Sequence, residues 1–150
     1  MATGKAARDR RVTDTAGINT VWLYSIIETA GRHLFVLQVN FQGVQLILTV
    51  VETPLFLRYA KDIWDDEERE VFVQWIAGMP EAGVVIPGTQ GLRKVRWSRS
   101  GMGKQGGSRV IYFLRRPQGQ IVLLLVYAKS KFDNLSTDYL RQLKEICDGS

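Results

Sequence analysis

The seven residues Ile121–Tyr127 are apolar without a break. A half-exposed strand alternates apolar with polar residues, and a surface helix carries its apolar residues as a stripe. A short, uniform run between the turn-forming Pro117-Gln118-Gly119-Gln120 and Lys129 instead predicts a central strand covered on both faces. The rest of the chain must supply the cover.

Residues 47–150 read as doing so. Ile47–Val51 is a short β-branched strand. Thr53-Pro54 supplies an N-cap and a proline at the first helical position. Phe56, Tyr59, Ala60, Ile63 and Trp64 then follow at helical spacing. Asp65 and Asp66 cap a second helix, with Glu67 and Glu68 favourable in its first turn and Val71, Phe72, Trp75 and Ile76 as its core stripe. Gly78 and Pro80 end it, and the two helices form an antiparallel hairpin. After a turn at Pro87–Gly91, Leu92–Trp97 alternates as a strand, with Leu92, Lys94 and Arg96 on one face and Val95 and Trp97 on the other. Arg99–Gly107 is a basic, glycine-rich loop, and Ser108–Leu114 is the next strand. Ser136–Cys147 closes as an amphipathic helix with Leu140, Leu143 and Ile146 inward. The order β-α-α-β-β-β-α predicts an α+β fold: a small antiparallel sheet of about four strands with an N-terminal helical hairpin and a C-terminal helix.

The first 46 residues differ in character. Residues 1–17 are small, polar and basic and read as a poorly ordered tail. Residues 18–27 are apolar but interrupted by Asn19, Thr20 and Ser25; with basic residues before it and Ala30-Gly31 after, a secretory signal is a further reading, which the short and impure stretch disfavours. Leu37–Phe41 alternates with period two, a strand that is able to add to the sheet edge. No methionine lies between Met1 and Met79, so a start within this region, at Val44, Val50 or Val51, is a further reading. The domain division expected is an extension over 1–46 and a folded domain over 47–150. No window reaches the ~18 clean apolar residues of a membrane helix.

Charge distribution narrows the function. Between Ala82 and Phe132 there is no Asp or Glu but ten basic residues: Arg93, Lys94, Arg96, Arg99, Lys104, Arg109, Arg115, Arg116, Lys129 and Lys131. Such a segment attracts polyanions, whereas a merely solubilising surface mixes both signs. The counterweight, Asp62, Asp65, Asp66, Glu67, Glu68 and Glu70, is a solvated helix end. The single cysteine, Cys147, excludes an internal disulfide and a CxxC zinc or redox site and fits a reducing cytoplasm. With His33 the only histidine, a His-pair acid–base mechanism and a His-rich metal site are excluded. No metal and no cofactor are expected. Gly101-Met102-Gly103-Lys104-Gln105-Gly106 matches GxGxxG, but strands flank it where a dinucleotide site needs a strand and a helix. Gly103-Lys104 lacks the Ser/Thr and upstream glycine of a phosphate-binding loop of the Walker type. What remains is either a plain hairpin loop or a loop offering backbone N–H groups and Lys104 to a phosphate.

Four blocks together resemble the HigB-like branch of the RelE/ParE toxin superfamily. They are Val51-Glu52-Thr53-Pro54-Leu55-Phe56, the segment Pro87–Trp97 with Gly91-Leu92-Arg93-Lys94-Val95-Arg96, the segment Gly106–Phe113 with Ser108-Arg109-Val110-Ile111-Tyr112, and Leu123–Lys129. The resemblance covers about residues 47–147 and leaves residues 1–46 without a counterpart. It implies a RelE-like fold and a metal-independent endoribonuclease that cuts mRNA in the A site of the 70S ribosome, contacting rRNA. It also implies neutralisation by a cognate antitoxin, often one with a helix-turn-helix domain. The family's catalytic positions match Lys94, Arg96 and Arg109 and, after the last strand, the neighbourhood of Lys129 and Lys131. Arg109 would clamp the scissile phosphate, Lys94 or Arg96 would stabilise charge and help deprotonate the 2′-OH, and Lys129 or Lys131 would act near the leaving group. Arg93, Arg99, Lys104, Tyr127 and Phe132 are the expected RNA-binding set, with Tyr112 read as a core aromatic. The better-known RelE pattern carries an arginine and later a tyrosine where this chain has Lys129-Ser130-Lys131-Phe132. Two other classes stay open: a non-catalytic RNA- or antitoxin-binding module of the same fold, and the gyrase-inhibiting ParE branch, against which the dense basic set argues.

Overall fold

The computed structural model describes residues 5–13, 21–29, 32–41, 44–98, 107–129 and 135–148, with side chains described for 33–36 and from 48 onward in those ranges. The chain is α+β. Its strands are β1 (Lys5–Thr13), β2 (Val21–Thr29), β3 (Arg32–Phe41), β4 (Val44–Glu52), β5 (Val84–Val85), β6 (Arg93–Trp97), β7 (Ser108–Arg115) and β8 (Gln120–Ala128). Its helices are α1 (Pro54–Ala60), α2 (Asp66–Gly78) and α3 (Thr137–Asp148). The strands form one sheet in the order β1-β2-β3-β4-β8-β7-β6-β5.

This corrects the expected small antiparallel sheet of about four strands. The sheet has eight strands and is mixed, because β4 and β8 pair in parallel while every other pair is antiparallel. The physical reason is twofold. The β4-to-β8 connection passes through the helical hairpin and three strands, so β8 returns in the direction of β4. The outer edge of β4 is then open, and β3, which contains the alternating Leu37–Phe41, pairs with it in the register Leu37↔Leu48. Lys5–Thr13, read from sequence as tail, pairs with β2. Among the described residues no helix is long and apolar enough to cross a membrane, a statement that concerns helices only.

Ile121–Tyr127 is the central strand that its composition requires, buried at every position. On one face, Val50, Val95, Val110, Ile121, Leu123 and Val126 pack under α1 and α2. On the other, Leu92, Ile111, Phe113, Val122, Leu124, Leu125 and Tyr127 pack with Leu140 of α3. A β-bulge switches the phase of β8: Ile111 pairs with Leu125 and Tyr112 with Leu123, so Leu124 is the extra residue and shares its face with Leu125.

Both N-terminal helices start where their caps predict. Thr53 Oγ1 accepts from the Phe56 N–H and donates to the Leu123 carbonyl at 2.7 Å, which fastens α1 to the central strand. Asp65 accepts from the Glu68 N–H at 2.7 Å, and three acidic residues occupy the first turn of α2. An aromatic chain links the hairpin to the sheet: Phe56, Trp64, Phe72 and Trp97 stack in succession at centroid distances of 6.2, 5.1 and 5.4 Å. In α3 the inward stripe is Leu140, Leu143 and Cys147. Ile146, expected inward, is 69% exposed, because at 3.6 residues per turn it lies about 120° around the helix from Leu140.

Tyr112, read from the sequence as a core aromatic, is a core strut. Its hydroxyl donates to the Pro80 carbonyl and accepts from the Gly83 N–H, both at 2.8 Å, and burial pushes its pKa up. Gly83 is required there, since a Cβ would come within 2.8 Å of the Tyr112 ring and hydroxyl. Tyr112→Phe leaves two buried backbone groups without a partner and is expected to lower stability by ~1–3 kcal/mol. The urea midpoint checks this; an unchanged midpoint would mean the turn is held by something else.

Candidate nucleic-acid interface

Strand alternation and register collect three of the basic residues that the resemblance singles out. Arg96 of β6 lies directly opposite Arg109 of β7, and Arg109 lies opposite Tyr127 of β8. Lys94 is two residues along β6 on the same face, in the row Lys94–Ile111–Leu125. This is the α3 side of the sheet. The C-terminal half of α3 sits toward the other end of β7, where Asp148 meets Arg115 and Lys144 lies over Phe113. Lys94 and Arg96 are exposed, Arg109 is half-buried, and Lys129 is exposed just past the end of β8.

Directly opposed residues in an antiparallel pair have Cβ atoms ~4.5–5.5 Å apart, and like charges in that position repel. Among the described residues, none of Lys94, Arg96, Arg109 and Lys129 forms an ion pair. Basic residues elsewhere do: Arg69 with Glu52 and Asp66, Arg93 and Arg116 with Glu81, Arg115 with Asp148, and Arg141 with Asp138. Arg109 Nη1 lies 3.8 Å from where a Gly107 Cβ would stand. The arrangement offers two planar guanidinium forks and an ammonium ~7 Å away along the strand, donors suited to the oxygens of a phosphodiester.

Other expected site residues are placed differently. Arg93 is on the opposite sheet face from Lys94; its Nη1 donates to the Gly83 carbonyl at 2.8 Å and braces the turn that Tyr112 also holds. Tyr127 is 6% exposed and packed among Ile111, Leu125 and Leu140, which leaves little ring face for a base. Arg99, Lys104, Lys131 and Phe132 lie outside the described residues.

One acidic group escaped the sequence reading. Glu52, the last residue of β4, is 4% exposed. Its Oε1 is 3.2 Å from Arg69 Nε of α2, within ion-pair distance but accepting no hydrogen bond, and its Oε2 is 3.8 Å from His33 Nδ1 of β3. Burial raises its pKa from 4.5 to about 7, against the opposing pull of Arg69 and with a further push from Glu70 and Asp66. The signal was a carboxylate at the end of a β-branched run and just before a helix cap, where the chain turns between buried elements.

The chain matches no model of a known protein family.

Proposed function

We propose that the protein is a ribosome-dependent mRNA endonuclease, the toxin of a type II toxin–antitoxin pair, acting in the cytoplasm. The observation that carries this reading is the opposed Arg96–Arg109 pair, with Lys94 beside it and no acidic partner for any of the three among the described residues. Like charges directly opposite each other repel, and a phosphodiester bridging both guanidinium groups would offset that repulsion. RNA strand cleavage needs in-line attack of the 2′-oxygen on phosphorus, charge stabilisation on the non-bridging oxygens and a proton for the departing 5′-oxygen. Arg96 and Arg109 hold the non-bridging oxygens, Lys94 stabilises the charge that develops at the attacking side, and Lys129 faces the leaving group. Partners under this reading are mRNA in the A site, the rRNA of the 70S ribosome, and an antitoxin with a helix-turn-helix domain.

The test is induced expression of the full chain in a bacterium, followed by primer extension on a reporter mRNA. Breaks at in-frame codon positions are expected. In Arg109→Ala they should fall by about 10²–10³, the usual effect of losing one charge-stabilising donor. A folded, soluble wild type that leaves the reporter intact would exclude the nuclease reading and leave a binding module; inhibition of supercoiling in a gyrase assay would then favour the ParE branch.

A further inference from the structure

A second group of cations gathers at the other end of β7. Phe113, four residues along the strand from Arg109 and so ~13 Å away, is buried with the Lys144 ammonium 5.3 Å and the Arg115 guanidinium 5.5 Å from its ring centre. Beside it is a cavity of about 180 Å³ lined by Gln90, Gly91, Arg93, Phe113, Arg116 and Lys144 with Val85 and Leu114. Among the described residues three cations line it and no carboxylate does. Among the described residues Gln90 is the only non-glycine with positive φ, at 59°, followed by Gly91 at 97°. A side chain held in that sparsely populated region marks a loop whose backbone is set by something other than local preference.

The donors here are only partly used. Lys144 Nζ gives one of its three N–H bonds to the Gln90 carbonyl at 3.0 Å. Arg93 spends one nitrogen on Gly83, and both Arg93 and Arg116 face Glu81 on the solvent side, outside the cavity lining. Arg115 is committed to Asp148 and the Cys147 carbonyl and belongs to the helix anchor.

We propose that this cavity is a binding site for a phosphate group. It is smaller than the ~300 Å³ at which small-molecule pockets begin, so it takes one phosphate rather than a whole nucleotide. That phosphate belongs either to an RNA backbone or to a free phosphate ester. Glu81 is the resident competitor: its carboxylate pairs with Arg93 and Arg116, and the hydrogen bond from Arg116, with the charges of Arg116 and then Arg93, holds its pKa below the usual carboxylate range. The site does not depend on the nuclease activity proposed above.

The experiment is titration of the ¹⁵N-labelled full chain with inorganic phosphate, chloride being exchanged to keep ionic strength constant. Saturable shifts of the Gln90 and Gly91 amides are expected. Arg116→Gln and Lys144→Gln should each weaken binding about tenfold, the effect of one charge-assisted hydrogen bond. Glu81→Gln should strengthen it several-fold, a gain that no loss of folding can mimic. Amides that respond no more to phosphate than to chloride, or a Glu81→Gln variant that binds more weakly, would overturn the proposal. The salt dependence of single-stranded RNA binding then separates the sources. A slope reduced by ~0.7 in the Arg116→Gln/Lys144→Gln double variant assigns the site to an RNA backbone phosphate, and an unchanged slope with phosphate binding intact assigns it to a free ester.

Discussion

Replacing Arg96 by Glu is expected to make the protein more stable and, under the nuclease reading proposed above, to abolish cleavage of RNA. The two effects share one cause. Arg96 and Arg109 face each other directly across β6 and β7 without an acidic partner among the described residues. A cross-strand pair of opposite charges contributes ~0.2–1 kcal/mol, whereas like charges cost a similar amount. Arg96 is exposed, so screening keeps the gain near the lower end. A gain of that size raises the melting temperature of a 150-residue chain by about 1–2 °C, more at low salt. Cleavage should suffer beyond the ~10²–10³ of a simple deletion, since the variant removes a donor and also sets a carboxylate beside the phosphate. Thermal unfolding at two salt concentrations, run beside the reporter assay, reads both. A variant that melts lower at low salt would show that the pair is not under repulsion, and one that still cleaves would remove Arg96 from the site.

Arg69→Ala is expected to destabilise the fold by ~3–5 kcal/mol above pH 8, because it leaves the buried Glu52 carboxylate without its nearest counter-charge. The loss should shrink toward pH 5. The folded-state pKa of Glu52, about 7, lies above its ordinary 4.5, so the folded protein holds a proton that the unfolded chain releases. Its contribution is therefore fully present below about 4.5 and is lost as pH rises through about 7. Without Arg69 the carboxylate holds its proton to still higher pH, which moves the window upward. Urea unfolding of wild type, Arg69→Ala and Glu52→Gln at pH 5 and 8 tests this. Glu52→Gln should flatten the pH dependence; an Arg69→Ala penalty equal at both pH values would mean that Glu52 is not the group responsible.

Local signals were enough for most elements from Ile47 onward and poor for their partners and for the first two strands. Thr53-Pro54 and Asp65 placed both helix starts because a cap is chemistry confined to a few neighbouring residues. Alternation along β6 put Lys94 and Arg96 on one face, and the same alternation already put Arg93 on the other. The parallel pairing of β4 with β8 has no local signature, because it is decided by what lies between the strands. The bulge at Leu124 was equally hidden, since a run that is apolar at every position carries no phase. Tyr127 had two readings, a base-stacking aromatic and a core residue ending the run Ile121–Tyr127, and its burial on the α3 face of the most enclosed strand favours the second. Glu52 was concealed for a related reason: only the arrival of α2 and β3 gives that carboxylate its surroundings.

The position of β8 also bears on when the protein becomes whole. It is the last strand in the chain, yet it is inserted between β4 and β7, and the bond from Thr53 Oγ1 to Leu123 spans 70 positions. Until β8 emerges from synthesis, β4 and β7 each present an unpaired edge, and the row that ends in Arg109 has no backing strand. Contacts this remote in sequence form late and slowly. A ribosome making this chain therefore carries an unfinished sheet until β8 has been made, with its open edges exposed to aggregation or to a chaperone, and the cationic row acquires its support only when β8 is threaded into place.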